Sequence, residues 1–522
     1  MNSFAYRSTP PARLSGWLGI GAVVLLFAAS VAMRLGDFRG TTGVPNLEAT
    51  YHVLLTVRGL RELPIARSHL LPVVTLGGAG DKFVPWGATI PTATGEYVYT
   101  SFPPLGFVAP YAFFSLLRWA PSTQHLIAFN CVLGLASALS LFVLLLRVLV
   151  WSGYPRGMSA ASAAAGTSLL IFSREALQSF GLVYWSQSFE ELLLILQLMA
   201  LFELWIRPRR GALVALCAVS FLSALTEWSG LVANVCITAL LAFSGPAEKR
   251  ALNVRMAGLV LLCTIIAVIG TAVQFVSALG FQQTVLALGQ RFLARGAART
   301  DSLSLLVGYA NSFGLFLVLA VACASWMAFT ERRPGLLAQS TLIPVLLLSA
   351  SFPLIENAVL LQHASEFSFD RLKLAVPLAI IVSAALVFAL ASKNRFVATA
   401  ILGATLLGAR QNFLAYQSQK TAFSDWAPTT NTNQLLRDQV ASAVDLKCAA
   451  IGSAATVRAY SNLLFDRAIL ENSTPAMLAA HARQVDACGT VFLEQEAVHT
   501  DLPRFTKATV TSLAGEQFII VP

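Results

Sequence analysis

GWLGIGAVVLLFAASVAMRLGD, residues 16–37, sets the terms on which the rest of the chain must be read. From Gly16 to Met33 no side chain is charged. A helix of about 20 apolar residues is what the hydrocarbon core of a bilayer requires, because every backbone polar group must be satisfied within the segment. The run exceeds the roughly 7–15 apolar residues of a secretory signal, and Arg34-Leu35-Gly36-Asp37 is not a small-residue cleavage site. The segment is therefore expected to stay as an anchor.

Working outward, uncharged runs recur near 126–146, 158–173, 192–202, 211–226, 228–247, 256–290, 302–330, 335–355, 374–392 and 396–409. Together with the first they predict eleven crossings. The count becomes twelve or thirteen if the short stretch 104–117, which opens with two prolines, also spans along with a compensating segment. With 56% hydrophobic and 12% charged residues over 522 positions, the composition excludes a soluble globule. The fold class expected is an all-α polytopic membrane protein. The run after Arg255 should leave the membrane near Gly280.

The lysine and arginine pattern fixes the orientation. With the N-terminus (Arg7, Arg13) inside, the other inside loops hold Arg147 and Arg156, then Arg207, Arg209 and Arg210, then Lys249, Arg250 and Arg255, then Arg332 and Arg333, then Lys393 and Arg395. Residues 34–118, the loops near 174–187, 281–301 and 361–373, and the tail from about Gln411 then lie outside. That is the periplasmic face of a bacterial inner membrane, with the stretch 104–117 read as juxtamembrane or re-entrant. These topology determinants account for most of the net charge of +10, and no basic-aromatic patch points to nucleic acid.

After Tyr416 the chain turns polar, so residues 1–416 read as the membrane domain and 417–522 as a small soluble α/β domain on the periplasmic side. Strands are expected at Cys448-Ala449-Ala450-Ile451-Gly452 and Cys488-Gly489-Thr490-Val491-Phe492-Leu493, and helices at 455–468 and 474–485. Cys448 and Cys488 open the two strands. Either they form a disulfide across neighbouring parallel strands in an oxidising compartment, or they are two small unpaired core residues. Cys131, Cys217, Cys236, Cys263 and Cys323 sit singly in apolar runs and read as packing residues.

The first outside loop is long for a structureless connection, and such loops are usually functional. It holds Asn46-Leu47-Glu48-Ala49-Thr50-Tyr51-His52 at the head of an expected helix reaching Arg61. Asp81, Lys82, Trp86 and Glu96 follow, and the loop closes on Tyr99-Thr100-Ser101-Phe102-Pro103-Pro104-Leu105-Gly106. Glu48-Ala49-Thr50-Tyr51 and Phe102-Pro103-Pro104-Leu105 resemble, in order and spacing, two elements of the superfamily of protein O-mannosyltransferases and lipid A aminoarabinose transferases, membrane glycosyltransferases of the GT-C fold. Ala128-Phe129-Asn130 extends the resemblance, which runs on to about Leu241. Leu47 stands where the family has the aspartate of an Asp-Glu pair, and Phe102 where it often has Lys or His; Asn46 and Asp37 are the polar residues near enough to substitute for the missing acid.

The resemblance implies transfer of a sugar from a polyprenyl-phosphate-linked donor to an envelope lipid, glycan or protein. An acceptor hydroxyl then needs a positioned carboxylate to take its proton, and Glu48 is the expected base. The departing phosphate needs cationic or hydrogen-bonding support, for which Arg174, His363, Arg371 and Lys373 are the candidates. Tyr51, Asp81, Lys82, Glu96, Pro103 and Pro104 are expected as further substrate contacts. The bland readings are that Glu48 opens a surface helix, that Arg371 and Lys373 are interface anchors, and that Arg174-Glu175 is a solvated pair.

Glu190, Glu191 and Glu356 are outer-side acids that could line a cavity with Glu48. Glu227, between two apolar runs, belongs either at the outer interface or in a functional site, the interface being favoured. Such acids could hold a divalent metal, but no spacing establishes one, and no cofactor is otherwise implied. His52 and His69 read as polar loop residues. No P-loop, Ser-His-Asp pattern or zinc signature is present. The competing function classes are a transporter or flippase, which usually shows internal repeats not seen here, and a non-catalytic scaffold for envelope assembly.

Overall fold

A computed structural model describes residues 10–39, 42–76, 89–243, 250–297, 302–330, 342–422, 441–442, 444–454, 459–494, 509–513 and 516–521. Asp81 and Lys82 lie outside the described residues. Within the described residues the uncharged runs are helical apart from short breaks. The chain begins with α1 (Pro10–Arg34), then the first loop carries the short strand β1 (Thr42–Gly43), α2 (Glu48–Glu62), α3 (Ile65–Ser68), the hairpin β2 (Thr89–Pro91) and β3 (Tyr97–Tyr99), and α4 (Leu105–Leu117). The bundle continues through α5 (Thr123–Trp151), α6 (Arg156–Phe172), α7 (Arg174–Ser179), α8 (Ser186–Ile206), α9 (Arg210–Ala224), α10 (Trp228–Phe243), α11 (Arg250–Leu279), α12 (Phe281–Ala297), α13 (Ser302–Phe313) and α14 (Leu315–Thr330). It ends with α15 (Leu342–Ser351), α16 (Leu354–Val359), α17 (Leu361–Glu366), a 3-10 turn (Ser368–Leu374), α18 (Ala375–Ala391) and α19 (Arg395–Ser418).

Among the described residues five helices are long and apolar enough to cross a membrane singly, and the bent pair α13–α14 makes a sixth. Several such helices make this a multi-pass membrane protein. At 13 residues, α4 is about 20 Å long, short of a hydrocarbon core of about 30 Å. The helix beginning at Arg250 ends at Leu279, and a new helix starts at Phe281 beyond Gly280. The run 302–330 is not one straight helix: α13 and α14 meet at 98°. The bend falls at Gly314, whose φ of +51° is a conformation that L side chains rarely adopt.

The centre of the bundle is the pair α6 and α18. At Gly166 a Cβ would fall only 2.7 Å from the Ala379 carbonyl, so the absence of a side chain lets the two backbones close up. Facing it, α18 buries Val376, Leu378, Ile380, Val382, Leu386 and Val387.

The segments read as lying on one side converge at one end. Arg34 donates to the carbonyls of Leu177 (at 2.5 Å) and Phe180, and Tyr416 donates to Asp37 at 2.9 Å. Gln178 donates to Gln419 at 3.0 Å, and Arg291 to Ser101 at 2.8 Å. At the opposite end Arg147 pairs with Glu203 at 2.5 Å.

Beyond α19 and β4 (Thr421–Ala422), which pairs with β1, the chain forms β5 (Ala450–Ser453), α20 (Ala459–Phe465), α21 (Pro475–Gln484), β6 (Thr490–Glu494), β7 (Thr509–Leu513) and β8 (Glu516–Val521). The sheet order is β5-β6-β8-β7, with β5 and β6 parallel and Ala450 opposite Thr490. Cys448 and Cys488 are joined by a disulfide with Cα atoms 5.4 Å apart, which excludes the unpaired alternative. The other five cysteines are free. The helix expected from residue 455 is described only from Ala459.

Candidate functional site

Glu48 lies in the first turn of α2, where a carboxylate favours the positive end of the helix dipole. Leu47, in the place of the family's aspartate, is 4% exposed and belongs to the apolar core. The Glu48 carboxylate accepts the backbone N–H of Ala459 from the C-terminal unit. Asp37 is held by Tyr416 and by Lys420, the latter at 2.5 Å.

Three hydrogen bonds fix the head of α2. The Thr50 hydroxyl donates to the Leu182 carbonyl at 2.7 Å and accepts the Tyr184 N–H at 3.0 Å, while Asn46 donates to Ser368 at 3.1 Å. Tyr51 is buried beside them. His52 is not a loop residue: it sits inside α2 with ring centroids 4.5 Å from Tyr99 and 5.2 Å from Trp185. Burial pushes its pKa down to about 3, so it is neutral. His69 caps α3 in a left-handed conformation, and its carbonyl accepts from Gln274 at 3.2 Å.

Pro103 and Pro104 are buried, and Pro104 opens α4. The Leu105 N–H reaches the Leu225 carbonyl at 2.9 Å, and the Tyr184 hydroxyl reaches the Gly106 carbonyl at 2.6 Å. Phe102 presents its ring 5.4 Å from Trp185 and 5.6 Å from His363. The Pro-Pro-Leu element is thus pressed onto the head of α8 and onto the segment carrying the candidate cations.

Beneath it lies a buried ionic centre. Gln187 donates to Glu227 at 3.1 Å and to Asp370. His363 Nδ1 meets the other Asp370 oxygen, and Lys373 Nζ is 2.5 Å from Glu356. Ser223 donates to Glu190. Arg371 donates to Ser312 at 2.7 Å and to the Ala364 carbonyl at 2.8 Å, and lies 3.6 Å from Glu175.

Glu227 is fully buried. Its carboxyl is held well above the usual range, first by burial and then by Glu356, with Asp370 adding to this and Lys373 opposing it. Glu227 is thus enclosed by protein and by other ionisable groups and does not face open solvent. A void of about 10 Å³, lined by Gln187, Glu190, Glu191, Leu194, Ser229, Pro353 and Lys373, has room for about one water. Among the described residues, Glu190 Oε2, Glu191 Oε1 and Ser229 Oγ are buried without a hydrogen-bond partner.

The remaining candidates separate. Arg174 is half-buried and donates to the Asn311 carbonyl at 3.1 Å, and burial lowers its pKa. Its neighbour Glu175 is not solvated but enclosed, accepting from Ser312 at 2.5 Å. Glu96 is taken up within the β2–β3 hairpin by Arg67, Thr92 and Thr94. Asp370 and Gln187 were not singled out from the sequence. The available signal was the charged group Asp370-Arg371-Leu372-Lys373 directly before the apolar helix α18.

Among the described residues no three His, Cys, Asp or Glu side chains are grouped to hold a metal ion, and the Lys373 ammonium already shares the pocket of Glu190 and Glu191.

The chain is similar in structure to ArnT from Cupriavidus metallidurans in the apo state, with a TM-score of 0.57 at 12% identity over 96% of this chain and 98% of that one. ArnT bound to undecaprenyl phosphate gives 0.58 at 12% identity over 97% and 98%. The oligosaccharyltransferase of Archaeoglobus fulgidus gives 0.54 at 11% identity over 91% and 69%. No family model and no curated protein matches the chain in sequence.

Proposed function

We propose that the chain is a GT-C-type glycosyltransferase that moves a sugar from a polyprenyl-phosphate donor to an envelope acceptor on the periplasmic face of a bacterial inner membrane. The observation that carries the reading is the Asn46–Ser368 hydrogen bond. It ties the head of α2, with Glu48 two residues on, to the segment that holds Arg371 and Lys373. A base and the cationic support for a leaving phosphate are thereby on elements that touch, within a fold shared with a protein crystallised with undecaprenyl phosphate.

In the reaction the acceptor oxygen forms a bond to the anomeric carbon as the bond from that carbon to the phosphate oxygen breaks. The acceptor proton passes to Glu48, and polyprenyl phosphate departs with the bonding electrons. Tyr51 and the Phe102-Pro103-Pro104 element shape the entrance, and Arg174, Arg371 and Lys373 supply positive potential. Asp81 and Lys82 remain proposed loop contacts, whereas Glu96, enclosed in its hairpin, would act only by holding that hairpin. The polyprenyl chain stays in the bilayer because exposing it to water and burying the phosphate are both costly. Residues 417–522 act as a soluble domain over the site.

Native mass spectrometry of the purified protein tests the donor reading. Retention of undecaprenyl phosphate well above retention of the uncharged undecaprenol supports it. Equal retention of the two contradicts it, since the site would then read the chain and not the phosphate.

A further inference from the structure

At the end of the bundle remote from the ionic centre, α1, α5 and α6 enclose a groove of about 400 Å³, within the range of small-molecule sites of about 300–1,000 Å³. Its walls are apolar, formed by Trp17, Ile20, Phe142 and Leu146, and two arginines, Arg147 and Arg156, stand in its lining. Arg156 lies across α1 at Gly16, where a Cβ would be 3.0 Å from its Nη2. Its Nε is enclosed without a hydrogen-bond partner among the described residues. An enclosed donor of this kind is stabilised by an anionic oxygen.

Behind Arg147 a second groove of about 440 Å³ opens between α8 and α9, with Arg207 and Arg209 in its lining. Glu203 is the acid in that lining, and it is paired with Arg147. Apolar walls and surplus arginine together match a molecule with a phosphate head and a hydrocarbon tail. The loops carrying these arginines are those that the charge rule assigns to the cytoplasmic leaflet, whose surface is anionic.

We propose that this end of the bundle binds an anionic glycerophospholipid, its phosphate on Arg156 and Arg147 and one acyl chain laid along Trp17, Ile20 and Phe142. The site is separate from the proposed transfer reaction and stands or falls without it. A zwitterionic phospholipid is disfavoured because its choline or ethanolamine adds a cation to an arginine-rich rim. A free phosphate leaves the apolar walls unused.

The test is competition on the full-length protein in neutral detergent, followed by native mass spectrometry with phosphatidylglycerol, phosphatidylcholine and inorganic phosphate. Phosphatidylglycerol should be retained about tenfold over phosphatidylcholine and should not be displaced by millimolar inorganic phosphate. Arg156→Gln should lower its retention about tenfold, and Ile20→Trp, which fills the groove and leaves its charge, should lower it similarly. Equal retention of the two lipids by the wild-type protein overturns the proposal whatever the variants do. So does displacement by inorganic phosphate, or an Arg156→Gln protein of unchanged melting temperature that retains phosphatidylglycerol fully.

Discussion

His52 and Glu227 titrate in opposite directions because each is denied water. For His52, whose pKa falls from 6.5 to about 3 in the folded protein, only the unfolded chain takes up a proton between those values. Stability is therefore full above about pH 6.5 and declines as pH falls towards 3, by about 1.4 kcal/mol per pH unit at most. His52→Phe should remove that decline, read as melting temperature in detergent against pH. Glu227 has the reverse sign: its folded carboxyl keeps its proton above the unfolded value of 4.5, so its contribution is lost as pH rises. Glu227→Gln should gain stability relative to wild type as pH increases above about 4.5; a difference that shrinks instead would show the carboxyl to be ionised.

At this scale the sequence showed where single charges stand but not which ones meet. The start of α2 at Glu48 was legible because an acid at the head of an apolar-periodic stretch is a helix-start signal. The Gln187–Asp370 contact was not, since it joins residues 183 positions apart, and no local pattern reports such a distance.

Helix boundaries were easier to read than helix bends. Gly280 was legible because it follows a run already long enough to cross. The 98° turn at Gly314 was hidden, because α13 and α14 are both apolar and lack a charge between them. Gly314→Ala should be destabilising by about 1–2 kcal/mol, since a Cβ there meets Gln411 at 2.9 Å and Asn412 at 3.0 Å in a positive-φ conformation; thermal unfolding measures it. The Lys373–Glu356 pair joins the 3-10 turn to α16. Lys373→Met alone should cost about 3–5 kcal/mol by leaving a buried carboxylate uncompensated, and adding Glu356→Leu should recover most of that. A double variant no more stable than the single one would refute the pairing.

For the molecule as a whole, the charge pattern put residues 34–118, 174–187 and the tail from Gln411 on one side, and hydrogen bonds join these segments at one end. Of the C-terminal strands, β5 and β6 were legible from their apolar runs while β7 and β8 were not read, and the parallel pairing of β5 with β6 is what brings Cys448 to Cys488. Replacing both cysteines by serine reopens a connection of 40 residues and should cost about 4 kcal/mol in the chain-entropy account, seen as faster proteolysis of the region after α19.

The central claim, sugar transfer dependent on Glu48, is tested most directly by comparing the envelope glycans and lipid-linked sugars of cells carrying the wild-type protein, Glu48→Gln or no protein. The account predicts a sugar decoration present only with the wild type, and a polyprenyl-phosphate sugar that accumulates in the other two cell lines while the variant protein stays folded in the membrane. Identical inventories in all three, or a Glu48→Gln line indistinguishable from wild type, would contradict it.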